Sequence, residues 1–296
     1  MSISAEPVID YLLELQKKGQ THISVDDEAR VILREFYKRA HSKAEVANRP
    51  ANGPRNNSQA SIPQRVVNLP VSETVVSPAP KQESLQVKGD SVEDKMLSLK
   101  QQTMQLPAAR ALGTFRQTMV FSAGSLSADV MLIGEAPAYD DERLGEPFVG
   151  KAGKKLDGIL LAMGLSREAC YLTNIVKFRP SMPNQTTSNR KPSAEEVAAC
   201  LPVLSEEIKL VAPKVIIALG TTPAQALLSQ ADSISELRGK PYQHMGIPLQ
   251  VTYHPSYILH DGVTPEKRQL WEDMLAVMEL LKLPISEKQR GYFLPK

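Results

Sequence analysis

Four places in the 296-residue chain concentrate side chains that can do chemistry. Glu135 is followed by Asp140, Asp141 and Glu142, carboxylates that only accept hydrogen bonds when ionised. Asn174 carries an amide, a donor and an acceptor side by side, and Lys177 and Arg179 follow it. Gly220-Thr221-Thr222 is a turn that exposes backbone, and His254 opens the run Pro255-Ser256-Tyr257. Taken singly, a histidine or an asparagine is more often structural than functional. Their chemistry depends on whether the fold gathers them.

The surrounding pattern predicts that it does. Residues 129–134, 171–176, 214–220 and 248–253 are short apolar runs of the kind that form strands buried on both faces. Helical stretches are expected near 151–163, 193–211, 221–229 and 265–282. Strands separated by helices imply a parallel sheet covered on both sides, here a three-layer α/β/α domain around a four-stranded parallel sheet. Ligands of such sheets bind at the carboxyl ends of the strands. Each of the four clusters falls at such an end.

Composition bounds the rest. Lys plus Arg number 35 against 33 Asp plus Glu, so no basic tail drives non-specific nucleic-acid binding, although a few phosphates need only a local patch. Two cysteines exclude a disulfide framework and, by themselves, a four-thiolate metal site. The start of the chain lacks a basic n-region and its apolar run is broken by Asp10 and Glu14, which does not fit a signal peptide. No stretch approaches the ~20 apolar residues of a membrane span, so a cytoplasmic protein with no membrane partner is expected.

No aromatic residue occurs between Tyr37 and Phe115. Residues 1–40 read as two short helices, with Val8, Ile9, Leu12, Leu13 and Leu15 before Gly19, then Val25, Ala29, Ile32, Leu33 and Phe36. Residues 41–90 are a Pro- and Ser-rich linker too poor in apolar groups to offset ordering entropy. Residues 91–296 form the main domain, entered through a weakly helical segment. The N-terminal helices either dock on that domain or on each other, or bind a protein partner. The molecule is expected to be a monomer.

Read together, Gly134-Glu135-Ala136-Pro137, Pro147-Phe148-Val149-Gly150-Lys151-Ala152-Gly153, Tyr171-Leu172-Thr173-Asn174, Val176-Lys177 with Arg179-Pro180, and His254-Pro255-Ser256-Tyr257 resemble the uracil-DNA glycosylase superfamily. The resemblance is greatest to the iron–sulfur-bearing family 4 and covers residues ~107–282. It implies that Asn174 reads uracil N3 and O4 of a base flipped out of DNA, while Phe148 stacks on the ring. Backbone around Ala136 meets the base, and Glu135 orients that turn or binds a water. His254 donates a hydrogen bond to uracil O2 as the N-glycosidic bond breaks, where negative charge grows. Asp141 matches the acidic position near the base and the attacking water, with Asp140 as the alternative. Pro255, Ser256, Tyr257, Ile258 and Leu259 enter the duplex or clamp the strand. Lys151, Ser256 and Thr221, with Gly220 and Thr222, are candidate phosphate contacts, and Arg179, Arg190 and Lys191 line the DNA path. For Phe148 and for the Ile258-Leu259 pair, plain core packing stands as the alternative reading.

The chain departs from that family in informative places. Of four cysteine ligands for a cluster, only Cys200 is kept; Pro107, Arg110 and Phe178 occupy the other positions, and Cys170 reads as a small apolar packing residue. No metal and no cofactor is therefore expected, with apolar packing through Phe178 replacing the cluster. The loop 181–190 is longer than the family pattern, and no histidine between 178 and 200 supplies the nucleophile of relatives that attach covalently to uracil-DNA. Ala138 replaces a glycine and His260 an arginine. The resulting expectation is a DNA-repair glycosylase that hydrolyses the N-glycosidic bond of uracil in single- or double-stranded DNA and leaves an abasic site. The alternatives are a cluster-less scaffold that binds DNA or protein, and a pocket that prefers a deaminated purine.

Overall fold

A computed structural model describes residues 85–259 and 264–294. The chain divides into two units, Met1–Val75 and Val76–Lys296, and the described residues belong to the second. The expected N-terminal helices, the linker up to residue 84 and His260 lie outside the described residues.

Four apolar runs form the centre of the sheet. They are β3 (Val130–Gly134), β4 (Tyr171–Asn174), β6 (Val215–Leu219) and β8 (Ile247–Thr252), parallel and in the order β4-β3-β6-β8. Two short antiparallel edges, β2 (Ser122–Gly124) on β4 and β7 (Tyr242–His244) on β8, extend the sheet to six strands. The four expected parallel strands are thus present, and the antiparallel edges are additional to the expectation. Both edge strands are three residues long and half exposed, so no apolar run marks them. A separate two-stranded ribbon pairs β1 (Phe115–Met119) with β5 (Phe178–Pro180).

Alternation along the strands separates two cores. Met131, Ile133, Tyr171, Ile216, Ala218, Leu249 and Val251 pack toward α1 (Val92–Met104), α2 (Pro107–Leu112), α5 (Ala194–Val211) and α6 (Thr221–Leu228). Val130, Leu132, Leu172, Val215, Ile217 and Leu219 pack toward α4 (Lys151–Ala162) and α8 (Pro265–Leu280), the latter through Trp271, Met274 and Met278. Short helices α3 (Tyr139–Leu144), α7 (Ile234–Leu237) and α9 (Glu287–Arg290) complete the described elements. The layers are helix, sheet and helix, an α/β fold. Among the described residues no helix is long and apolar enough to cross a membrane.

The strand order places a crevice between β3 and β6, because the connection after β3 leaves toward β4 and that after β6 leaves toward β8. Thr222, at the start of α6, donates a hydrogen bond across it to the Glu135 carboxylate. The sheet therefore delivers its functional ends to one edge.

Candidate active site

The site is built around the end of β3. A Cβ placed on Gly134 would lie 2.3 Å from Asn174 Oδ1 and 2.5 Å from Phe148 Cζ, distances that real Cβ atoms do not tolerate. Only hydrogen fits there. The amide of Asn174, at the end of the neighbouring β4, and the edge of the Phe148 ring thus meet over Gly134. Asn174 is 2% exposed, and its Nδ2 has no hydrogen-bond partner among the described residues. A buried donor without an acceptor costs about 1–3 kcal/mol.

Phe148 reaches this position through a left-handed backbone, φ 59°, that a bulky residue rarely adopts. Three contacts hold it. Arg167 donates to the Phe148 carbonyl, to Pro147 O at 3.1 Å and to Glu146 at 3.2 Å, and pairs with Asp157 at 3.0 Å. Gly153 leaves room for that turn, since a Cβ on it would sit 1.6 Å from Phe148 O. Asp141 accepts from Val149 N at 2.9 Å through one oxygen and from Ala138 N at 3.0 Å through the other. Its buried carboxylate clamps the loop after β3 to the loop carrying Phe148. Asp140, by contrast, is half exposed, lies beside Gly150 and pairs with Arg143 at 3.6 Å. Arg167 carried no sequence signal.

His254 follows β8, and its ring lies 6.3 Å from that of Phe148 at an interplanar angle of 30°. Gly220, with φ 99°, lets the start of α6 approach: a Cβ there would be 3.2 Å from His254 Cβ. Burial holds the imidazole pKa down to about 4, against the opposing pull of the Asp141 charge. Ser256 N donates to Nδ1 at 3.2 Å, so Nδ1 is the acceptor and the proton of the neutral ring belongs on Nε2. A neutral donor results.

The flanks differ from expectation. Arg179 is 1% exposed; it donates to Glu142 at 2.8 Å, to Asn189 at 2.9 Å and to the carbonyls of Thr186 and Ser188, and its guanidinium lies over Tyr139. Arg190 binds Glu196 through two nitrogens and the carbonyls of Ser181 and Thr114. Both were expected on the DNA path; Arg179 is buried, Arg190 keeps 30% of its side chain exposed, and the bonds of both fasten the 181–190 loop. Pro255 and Ile258 are buried in a short 3-10 turn, so the core-packing alternative describes Ile258, and Leu259 is half buried. The exposed tip is Ser256 with Tyr257, which is 55% exposed. Lys151 is exposed at the start of α4 and Lys191 beyond the loop, while Thr221 is half buried at the start of α6 and Ala136 at the end of β3.

The residues at the cluster positions do not fit an iron–sulfur centre. The Arg110 guanidinium lies 4.4 Å from the Phe178 ring centroid, Phe115 packs on the same ring at 5.8 Å, and Pro107 opens α2. Cys200 is in the core on that side of the sheet and Cys170 in the core on the other, and burial pushes both thiols up to about 11. Among the described residues, no group of three or more His, Cys, Asp or Glu could hold a metal ion.

A model of the uracil-DNA glycosylase superfamily matches residues 121–275, just over half of the chain. The chain belongs to that superfamily. It is 39% identical over 156 residues to a type-4 uracil-DNA glycosylase of Pyrobaculum aerophilum, covering 50% of this chain and 76% of that one. A type-4 enzyme of Thermotoga maritima is 36% identical over 169 residues, covering 56% and 85%. A type-5 uracil-DNA glycosylase of Pyrobaculum aerophilum is 31% identical over 150 residues, covering 45% and 63%. The matched segment of this superfamily member contains every residue that meets around Gly134.

Gly134→Ala should separate the two groups. The added methyl must displace Asn174 or Phe148, so excision of uracil is expected to fall by roughly 100-fold while the protein stays folded. Circular dichroism beside an excision assay checks this, and a near-normal rate would show that the close approach is not required.

Proposed function

We propose that the chain is a monofunctional uracil-DNA glycosylase that hydrolyses the N-glycosidic bond and leaves an abasic site. The observation that carries the reading is the orphaned Asn174 Nδ2, buried beside the edge of the Phe148 ring. Uracil O4 would accept from that donor, and uracil N3–H would donate to Oδ1. Cytosine presents the opposite pattern at this edge.

The bond breaks with its electron pair moving to uracil N1, so the base leaves as an anion and the sugar turns cationic. The Nε2 proton of His254 is a donor for O2, and a neutral imidazole keeps it without competing cationic charge. A water oxygen then adds to C1′ and gives up its proton to a carboxylate or to solvent. Asp141 suits this step: its two backbone bonds fix the carboxylate and leave lone pairs for a water. Glu135, held by Thr222, is the second carboxylate at the crevice. Thymine offers the same edge as uracil, so only a steric obstacle at the 5-methyl rejects it, and the Ala138–Asp141 turn is that obstacle. Lys151, Thr221, Ser256, Tyr257 and Leu259 serve as DNA contacts. The reaction needs no metal, and the Arg110–Phe178 stack does the fastening that a cluster would do. Residues 1–90 supply nothing to this chemistry.

The deciding experiment is excision from single- and double-stranded uracil-DNA by the wild type, Asn174→Ala and His254→Ala. Activity in the wild type with losses of about 100-fold or more in each variant is expected; an inert wild type that still binds DNA would favour the scaffold reading. Asp141→Ala should raise the thymine-to-uracil ratio. If Asp140→Ala alters that ratio and Asp141→Ala does not, the assignment is off by one residue.

Elemental analysis should find no stoichiometric iron, and the purified protein should be colourless. A broad visible band that disappears in Cys200→Ser would overturn this.

The low pKa of His254 also has a sign. Its folded value of about 4 lies below the ordinary 6.5, so the unfolded chain takes up the proton first as pH falls. This contribution to stability is complete above pH ~6.5 and is lost as pH falls toward ~4. Thermal unfolding at pH 7 and 4.5 should show a smaller loss for His254→Gln than for the wild type.

A further inference from the structure

Behind Asn174, on the opposite face of the sheet, lies a buried ion pair that the excision chemistry does not use. Lys177 and Glu207 are both 0% exposed and pair directly. Lys177 has three N–H donors and each finds an acceptor: Glu207 Oε2, Thr173 Oγ1 at 2.6 Å and the backbone carbonyl of Asn174 at 2.9 Å. The other Glu207 oxygen accepts from Tyr171 OH at 2.8 Å and Thr173 Oγ1 at 3.1 Å. Tyr171, Thr173 and Asn174 are residues of β4, and Glu207 belongs to α5.

Two charges in a dry core are expensive compared with apolar residues of similar volume. Packing alone does not call for this arrangement. What it does is fold Lys177 back on the last two residues of β4 and tie them to a long helix. From the β3 side, Ile175 N donates to Gly134 O at 2.9 Å and Val176 N to Glu135 O at 3.3 Å. The backbone of Asn174 is therefore fastened from both sides, while its side chain projects toward Phe148. A base-reading amide needs that: its donor and acceptor must meet two fixed atoms of a planar ring, and a misplacement of about 1 Å can cost roughly 100-fold in rate.

We propose that Lys177 and Glu207 are positioning residues for base recognition, acting through Asn174. This rests on the functional reading above. The pair sets the height and angle at which the Asn174 amide meets the base, and it touches neither the base nor the sugar.

The test is a cycle in the full chain between Lys177→Met/Glu207→Gln and Asn174→Ala. Gln at 207 keeps the acceptor for Tyr171 and Thr173, and Met at 177 fills the space of the lysine stem. Three quantities are read: the single-turnover excision rate on uracil-DNA, the affinity for the same duplex with thymine replacing uracil, and the thermal midpoint. The neutral pair should excise uracil roughly 10- to 100-fold more slowly, with unchanged affinity for the thymine duplex. On the Asn174→Ala background the same substitutions should change the rate less than about threefold, because the group they position is gone. A full multiplicative loss on that background, or a normal rate with Asn174 present, would overturn the proposal. Should the neutral pair fail to fold, Lys177→Leu/Glu207→Met, which refills the volume with apolar atoms, puts the same four rates to the same criterion. An inert wild type would remove the functional reading itself. An active wild type with indifferent variants removes only the positioning role.

Discussion

At Gly134 three parts of the molecule come within the radius of one methyl group. The end of β3 can touch both the Asn174 amide and the Phe148 ring only because that position carries no side chain. The rest of the site follows from this contact. To reach it Phe148 takes a left-handed backbone, which a side chain of its size adopts at a cost of order 1–3 kcal/mol. Arg167, Gly153 and Asp141 hold that turn in place. The strained residue is also the one whose ring faces His254, so the strain is located where the two rings approach.

The polar groups of the site are divided by the sheet. On the α4 side, Asn174 and Phe148 meet over Gly134, the His254 ring lies 6.3 Å from that of Phe148, and Asn174 Nδ2 has no partner among the described residues. On the α5 side, Lys177, Glu207, Thr173 and Tyr171 satisfy one another in a closed network. An open set can accept a ligand; a closed set can only hold its members still. Breaking a buried pair by removing one partner costs about 3–5 kcal/mol, so the closed network is also where a single substitution does most harm to folding.

The helical segment 107–112 and the loop 181–190 show a second division of labour. In the resembling iron–sulfur family a cluster would join these regions. Here an arginine stacked on a phenylalanine, a two-stranded ribbon and the bond from Arg190 to the Thr114 carbonyl connect the two regions. Arg179 is thereby buried, and Arg190 is held by Glu196 with 30% of its side chain still exposed. Lys151, Lys154 and Lys155 of α4 are exposed and have no such internal carboxylate partner among the described residues.

Much of the architecture was legible in the sequence. The four central strands are short apolar runs between helical stretches, and a buried parallel strand must read that way because both of its faces are covered. The motifs around Glu135, Phe148, Asn174 and His254 were legible too, since each sits at a strand end or in a glycine-rich turn. The edge strands β2 and β7 were not, because three half-exposed residues leave no hydrophobic record. Nor could the sequence say which arginines pair inside the protein. Arg179 and Arg190 look like any loop cations until the fold brings Glu142 and Glu196 to them. The same holds for Asp141, whose two backbone partners come from loops that only the folded chain brings together, and for Lys177, whose partner Glu207 is thirty residues away. Residue type and spacing determined which groups stand at the rim. Tertiary contact decided which keep unused hydrogen-bonding capacity, because a side chain whose donors and acceptors are all satisfied inside the protein has none left for a ligand.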